Sequence, residues 1–554
     1  MNRLRLFNGF NFNHLGGDLL GGITAAIVAL PLALAFGVSA SRQVGAIAGL
    51  YGAIFVGLFA ALFGGTPSQI SGPTGPMTVV MATVFSTMIA KNPDNGIAMA
   101  FTVVILGGLF QILFGVMRLG KYITFIPYTV ISGFMSGIGF IIIFLQIAPL
   151  LGHPSSAKVI DSLANLPEYL TTPNPIATGL GLLTLLIVFA SPPKLNRIVP
   201  SPLIALIVGT VISVTLFPDS NLPQIGKIPT GLPQIQLPVF SPNQIKDMVL
   251  YALMLATLGA IDSLLTSLVA DNITRTQHDS DKELIGQGIG NCIAGLFGGL
   301  PGAGATMRTV VNVRAGGKTA LSGVIHALVL LVIVLGAGKL TENIPNAVLA
   351  GILIKVGIDI IDWGFLKRAH RISLRGAGLM YGVLLLTVFV DLIVAVGLGV
   401  FLANLLTLKR LSDLQAEQIQ AIVTPNEQIL LSSAEKDILR QAQGRILLFH
   451  LGGPMSFGAA KSISRRLSIV EDYDVLILDL SEVPHIGVTA SLAIENMVKE
   501  ACEKRRSIFL VGASGKVRER LRHLELLDRL LATNQLPSRL EALETGLVIV
   551  RERH

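Results

Sequence analysis

Residues 63–90 read FGGTPSQISGPTGPMTVVMATVFSTMIA, and residues 297–313 read FGGLPGAGATMRTVVNV. Both stretches open on Phe-Gly-Gly and soon reach a proline (Pro67, Pro301). Both then pass a threonine (Thr74, Thr306) and arrive at Thr-Val-Val, at Thr78–Val80 and Thr309–Val311. The two copies lie about 232 residues apart, so the chain reads as two homologous halves. In each half a short apolar segment follows a glycine- and proline-rich run. Interrupted hydrophobic segments at matching positions of two halves point to a transporter binding site. The alternative is a turn and packing motif, and the shared downstream threonine favours the site.

Outward from these segments the chain is a series of apolar stretches. A span needs about 20 apolar residues. Candidates occur at 19–38, 46–64, 97–116, 125–150, 176–190, 202–217, 248–270, 284–298, 320–336, 347–361 and 376–408. The last run, of 33 residues, is adequate for two short spans. With the two interrupted segments this predicts a polytopic α-helical membrane protein of about 14 spans, seven per half, and an odd number per half inverts one half against the other. With both termini inside, 14 basic residues fall inside: Arg3, Arg5, Arg118, Lys121, Lys194, Arg197, Arg275, Lys282, Arg314, Lys318, Lys367, Arg368, Arg371 and Arg375. Six fall outside: Arg42, Lys91, Lys158, Lys227, Lys246 and Lys339. That asymmetry obeys the positive-inside rule.

Composition agrees. The 554 residues are 51% hydrophobic and 14% charged, with mean hydropathy +0.68. These values exclude a disordered chain, a disulfide scaffold and an ordinary soluble enzyme. Of 42 Lys and Arg and 34 Asp and Glu, 22 and 15 lie in residues 1–408, leaving 20 and 19 for the 146 residues of 409–554. The chain therefore reads as a membrane domain (1–408), an amphipathic linker (409–427) and a water-soluble domain (428–554). The net charge of +8 is attributed to loops facing a cytoplasm, not to nucleic-acid binding. Cys292 and Cys502 fall one in each part and offer neither a disulfide nor a zinc spacing. The stretch 1–14 has no apolar core with a small-residue cleavage site, so no cleaved signal peptide is expected.

Inside the membrane an ionisable group is costly and marks function by default. Asp262 in LMLATLGAIDSLLTSLVA (253–270) is the clearest case, and Thr266 lies one turn on, on the same face. A carboxylate with hydroxyl and carbonyl oxygens suits a hard cation or a proton. The alternative is a carboxylate neutralised by a neighbouring base, with Arg308 the candidate. The broken helices prefer the opposite charge, because free N–H groups and positive dipole ends attract anions. If both N-termini face each other, Thr74, Gly75, Ala305 and Thr306 can hold a small oxyanion. Asp262 beside it repels that anion unless a cation arrives first or together, and this conflict is a physical basis for coupling. Lys355 and Asp359, at i and i+4, read as a helical ion pair, His326 as a core histidine, and Gly133-x-x-x-Gly137 as a close helix contact.

In the tail, 445–451 and 475–480 read as buried strands, 459–468 and 489–505 as helices, then strand 507–511 and helix 516–524, with 406–443 a charged connector. Alternating strands and helices predict a small α/β domain with a partly parallel sheet. A regulatory or dimerising role is the default there.

GTPSQISGPTGPM (65–77), VADNITRTQHDSDKELIGQG (269–288) and the 304–309 segment resemble the SulP anion permeases. LDLSEVPHIGVTAS (478–491) resembles a STAS domain, the fold of anti-sigma-factor antagonists. LTSLVADNITRT (265–276), LAGILIKVGIDIIDWGFLKRAH (349–370) and DLIVAVGLGVF (391–401) are similar to the family's cyanobacterial sodium-dependent bicarbonate branch. The resemblance implies a seven-plus-seven inverted repeat with core and gate subdomains moving elevator-fashion, and a homodimer to which the STAS-like domain contributes. It implies a sodium site at Asp262, Thr266, Gly304 and Thr306, and an anion position at Thr74 and the backbone around Ala305. Two residues depart from the branch pattern: Gly72 stands where a Glu is expected, and Arg308 where a Gly is. An arginine there, common in the wider family of sulfate, chloride and dicarboxylate carriers, adds positive charge to the anion site. Thr489 aligns with the phosphorylated serine of anti-sigma antagonists, and the bland alternative is a helix N-cap.

The expected function is sodium-coupled bicarbonate uptake across a bacterial plasma membrane, with the N- and C-termini cytoplasmic. A sulfate or other oxyanion permease is the alternative within the class, and an anion channel or a membrane sensor lies outside it. No HExxH, GxSxG or P-loop occurs, and GASG at 512–515 lacks the lysine and spacing, so neither an enzyme nor a cofactor beyond transported sodium is expected.

Overall fold

The computed structural model describes residues 7–8, 12–41, 43–123, 127–156, 158–192, 195, 199–218, 220, 222–226, 233–390, 392–424, 431–467, 470, 472–527, 530 and 532–554. Of the loop charges assigned above, Arg3, Arg5, Arg42, Lys194, Arg197 and Lys227 lie outside the described residues. The chain divides into two compact units, Met1–Phe401 and Leu402–His554.

In the first unit each apolar stretch picked out in the sequence is a helix. Up to residue 216 these are α1 (Leu15–Ala40), α2 (Gly45–Phe63), α3 (Gly75–Lys91), α4 (Gly96–Val116), α5 (Tyr128–Leu150), α6 (Pro175–Ala190) and α7 (Ser201–Leu216). Then follow α8 (Ile245–Thr274), α9 (Ser280–Leu296), α10 (Thr306–Arg314), α11 (Ala320–Thr341), α12 (Asn346–Ile360), α13 (Leu374–Phe389) and α14 (Leu392–Glu417). The long apolar run 376–408 thus breaks into two helices. Among the described residues, six helical segments are long and apolar enough to cross a membrane.

The helices sort into two packed groups. α1 to α4 pack with α8 to α11, while α5, α6 and α7 pack with α12 and α13; α1 and α3 touch α5, α7 and α12 across the seam. Without water to drive association, helices in lipid pack through small residues that let backbones approach. A Cβ at Gly49 would sit 1.8 Å from the Ala33 carbonyl oxygen, so α2 lies directly on α1. Gly133 and Gly137 serve α5 against α13 as expected: Cβ atoms there would come within 2.4 Å of Met380 O and 2.7 Å of Thr387 Cβ. Lys355 and Asp359 form the expected i,i+4 pair, and His326 is fully buried on α11. Lys91 at the end of α3 pairs with Asp247 at the start of α8, 2.6 Å apart, which brings together the two ends that carry Lys91 and Lys246.

The second unit is a five-stranded α/β domain. β3 (Ile419–Ile422) pairs antiparallel with β4 (Ile446–Gly452), and β4, β5 (Val475–Glu482), β6 (Ser507–Val511) and β7 (Gln535–Leu536) are parallel in that order (two other strands, β1 and β2, belong to the first unit and are described below). Between them run α15 (Ser433–Gln441), α16 (Phe457–Leu467), α17 (Val488–Glu503) and α18 (Gly515–His523), and α19 (Arg539–Arg553) follows the last strand. The stretch expected as linker is largely structured: α14 continues to Glu417 and β3 follows at once. β3 is strand because Ile419 and Ile422 bury against the sheet. α15 forms behind a Ser432–Glu435 capping box.

The parallel sheet closes over a buried charged cluster. Asp479 Oδ2 lies 2.8 Å from His450 Nδ1, and Arg539 donates to Glu435 at 2.7 Å and to Asp479 at 3.4 Å. Burial raises the Asp479 carboxyl, but hydrogen bonds from His450 and Ser481 outweigh it and hold it below its ordinary value. Glu435 is depressed likewise: burial raises it, and Arg539 and the Ser432 amide lower it further.

Candidate cation and anion site at two paired half-helices

β1 (Ser71–Gly72) and β2 (Ala303–Gly304) pair antiparallel, Ser71 opposite Gly304 and Gly72 opposite Ala303. β1 leads through Pro73 and Thr74 into α3, and β2 leads through Ala305 into α10. Both half-helices therefore start from one ribbon, and the duplicated words of the sequence meet in space. The cap residues Thr74 and Ala305 are extended, and neither side chain caps its own helix. The first amides of α3 and α10 thus carry positive partial charge with no side-chain oxygen on them.

α8 supplies the oxygens opposite. Ser263 Oγ accepts from Gly304 N at 3.0 Å, and Thr266 Oγ1 donates to Gly304 O at 3.0 Å. Thr266 Oγ1 also lies 2.8 Å from Thr306 Oγ1. A hydroxyl has one hydrogen to give, so Thr306 donates in that contact. Asp262, 9% exposed, accepts the Thr74 hydroxyl at 3.1 Å. Thr266, Gly304 and Thr306 thus meet at one end of the ribbon, and Asp262, one turn earlier on α8, reaches the Thr74 turn, a single carboxylate beside neutral oxygens. Among the described residues no three His, Cys, Asp or Glu cluster as a metal set. One charge among hydroxyl and carbonyl oxygens suits a hard univalent cation.

The anion candidates divide. A Cβ at Gly75 would come within 2.7 Å of Ile360 Cδ1 and 3.0 Å of Ile142 Cδ1, so the first turn of α3 abuts α12 and α5, the other helix group. Ala305 is buried and Thr306 is exposed, so the first turn of α10 opens to the surroundings. Arg308 behaves differently from expectation. It is 3% exposed, and its Nη2 donates back to the Pro73 carbonyl oxygen. It makes no ion pair with Asp262. A Cβ at Gly72 would lie 2.7 Å from Arg308 Nη1, and Gly72 has φ +153°. The two departures from the branch pattern are therefore one arrangement: the missing side chain at 72 leaves the room that the guanidinium fills.

A supporting network escaped the sequence reading. Glu283 accepts from Thr66 N (2.9 Å), Gln69 Nε2 (2.7 Å) and Gln287 Nε2 (2.8 Å), and Gln287 also donates to Ser71 Oγ at 2.5 Å. Asn291 bonds both N and O of Gly302, at 2.7 and 2.9 Å. Glu283, Gln287 and Asn291 stand four apart, so a polar stripe along α9 was a legible signal. Thr489 is not an N-cap: Gly487 caps α17, and Thr489 lies exposed in its first turn.

Residues 15–383 match the sulfate permease family, and residues 437–538 match the STAS domain. The bicarbonate transporter BicA of Synechocystis sp. is 54% identical over 546 residues, 98% of this chain and 96% of the relative. The solved transmembrane domain of a cyanobacterial bicarbonate transporter BicA is 58% identical, with TM-score 0.67, covering 71% of this chain and all (100%) of that one. The murine Solute Carrier 26 family member A9 anion transporter, solved inward-facing, superposes with TM-score 0.83 at 19% identity over 98% of this chain and 92% of its own. At that identity the likeness is one of fold.

Proposed function

From a chain that belongs to the sulfate permease family, a multi-pass membrane protein with a C-terminal STAS domain, we propose sodium-coupled secondary active uptake of bicarbonate. The observation that carries this is the Asp262–Thr74 contact at 3.1 Å, which joins an oxygen cage for a cation to the N-terminus of a half-helix. Similarity to bicarbonate transporters over nearly the whole chain supports the anion.

Sodium binds Asp262, Thr266, Gly304 and Thr306. Its charge offsets Asp262, and bicarbonate is then held by Thr74, by the amides at Gly75 and Thr306 and by the positive ends of α3 and α10. The sequence repeat and the ribbon support fourteen spans in a seven-plus-seven inverted arrangement. α1–α4 with α8–α11 form the moving core, and the group containing α5 and α12 forms the gate. Ile142 and Ile360, against Gly75, close one side of the site, and an elevator-like shift of the core opens it. Loop charge supports a plasma-membrane protein with cytoplasmic termini, and the family resemblance supports a homodimer.

The test is labelled bicarbonate uptake into proteoliposomes under an inward sodium gradient, against a matched potassium control at fixed pH. Sodium-dependent uptake that disappears in Asp262→Asn is the expected result. Uptake indifferent to sodium, or labelled sulfate accumulating in place of bicarbonate, would overturn it.

A further inference from the structure

Two opposite charges are buried at the ribbon, and among the described residues neither has an ion-pair partner. Asp262 reaches it from α8 and receives the Thr74 hydroxyl. Arg308 reaches it from α10 and holds the carbonyl of Pro73, the residue just before Thr74. Both side chains thus act on the same turn, Gly72–Thr74, at 9% and 3% exposure. The other buried carboxylate nearby, Glu283, sits in the first turn of α9 and accepts three N–H groups. Those donors and the positive helix end meet its charge locally, so it stands outside the charge count at the ribbon.

We propose that Arg308 is the positioning residue that makes cation and anion transport obligatorily coupled, by cancelling the charge of Asp262 in the empty site. This rests on the sodium and bicarbonate reading above. With both residues charged the empty site is neutral. One sodium alone leaves a net positive site, one univalent anion alone a net negative one, and the two together restore neutrality. Carrying net charge through a low-dielectric layer is opposed. The empty and doubly loaded forms therefore cross, and the half-loaded forms do not. Without Arg308 the count changes sign. The empty site carries the Asp262 charge and does not cross, a lone sodium neutralises it, and the sodium-loaded form crosses by itself, so the site exchanges sodium for sodium without an anion. The same count selects a univalent anion with one sodium, because a divalent oxyanion would leave the loaded site negative. The bond to Pro73 keeps the guanidinium behind the ribbon, where it supplies charge without occupying the anion position.

The experiment is labelled sodium influx into proteoliposomes holding an equal concentration of unlabelled sodium, with and without bicarbonate on both sides, at fixed pH. In the unaltered protein, influx is expected to be on the order of a hundredfold faster with bicarbonate than without. In Arg308→Gln that ratio falls to near one because sodium exchanges alone, and Arg308→Lys restores the bicarbonate requirement. An Arg308→Gln protein that sodium still stabilises against heat, yet whose sodium influx stays bicarbonate-dependent or absent, overturns the proposal. A second measurement is independent of any variant: in the unaltered protein, coupled uptake proceeds at the same rate whether a potassium–valinomycin clamp sets the membrane potential negative or zero. Uptake driven by that potential also overturns it. If the unaltered protein shows no sodium-dependent bicarbonate uptake, the failure belongs to the function proposed above and is seen before any variant is made.

Discussion

The Thr74 hydroxyl donates to the Asp262 carboxylate at 3.1 Å, across 188 residues of chain. That bond joins the cap of α3 to the middle of α8, and with it the proposed anion position to the proposed cation position. A carboxylate has about four lone-pair sites, so one hydroxyl leaves oxygen capacity for a cation.

Thr74→Val removes this donor and leaves the chain volume nearly unchanged. A hydrogen bond to a charged group contributes about 1.5–3 kcal/mol. The sodium concentration for half-maximal bicarbonate uptake should therefore shift by about tenfold or more, while Thr74→Ser stays near the parent. A sodium titration of uptake checks it, and an unshifted Thr74→Val curve would sink the argument.

Thr266 holds Gly304 O and Thr306 Oγ1 at 3.0 and 2.8 Å. Thr266→Val leaves a buried carbonyl unpaired, a cost of about 1–3 kcal/mol, and removes one oxygen of the cage. Under the proposed sodium site, added sodium stabilises the purified parent against heat, and the expected result is a large loss of that stabilisation in the variant. Equal stabilisation of parent and variant would place the cation elsewhere.

Gly72→Ala should destabilise by about 1–3 kcal/mol, because the new Cβ meets Arg308 Nη1 and a φ of +153° is strained for alanine. Combined with Arg308→Gln, the loss should be smaller than the sum of the two single changes, since the clash is with the guanidinium. Unfolding of the detergent-solubilised single and double variants reads this directly. Strict additivity would show that the two residues do not share the space.

Across the seam between helix groups, Gln146 Nε2 on α5 donates to Ser39 Oγ on α1 at 3.2 Å, beside a cavity of about 220 Å³ lined by Ser39, Ser86 and Ser155. If the core shifts against the gate, this contact must open each cycle. Cysteines at 39 and 146, in a Cys502→Ser background, should block uptake under oxidant and recover it on reduction. Full uptake with the cross-link formed would contradict relative motion there.

In the STAS domain, Asp479 and Glu435 have depressed folded-state values. Groups shifted this way contribute stability that is present above their unfolded values, 3.8 and 4.5, and is lost as pH falls through the lower folded values. Arg539→Gln removes the charged partner of Glu435 and one of the contacts of Asp479, and removing one member of a buried pair costs about 3–5 kcal/mol; the 21% exposure of the Arg539 side chain lowers that figure. The variant should lose amide-exchange protection in β5 and α19 at pH 7, and the gap to the parent should narrow near pH 3. A gap independent of pH would remove electrostatics from the explanation.

Sequence by itself determined where the helices lie, because length and apolarity decide what a bilayer accepts: the predicted stretches and the observed helices differ by a few residues at most of their ends. It also determined that two half-helices are paired, through FGG-x-P and its threonine, and that Asp262 is singular. Tertiary structure decided what those residues touch. Arg308 reads as an anion ligand in the sequence, yet it turns to Pro73, into the room left by the missing side chain at Gly72. Thr489 became a second-position helical residue once Gly487 took the cap. The strand at Ile419–Ile422 appears only when β4 offers its edge. Local pattern is written in neighbours along the chain. The direction of a buried polar side chain is settled by which acceptor, 235 residues away for Arg308, the packed fold leaves within its reach.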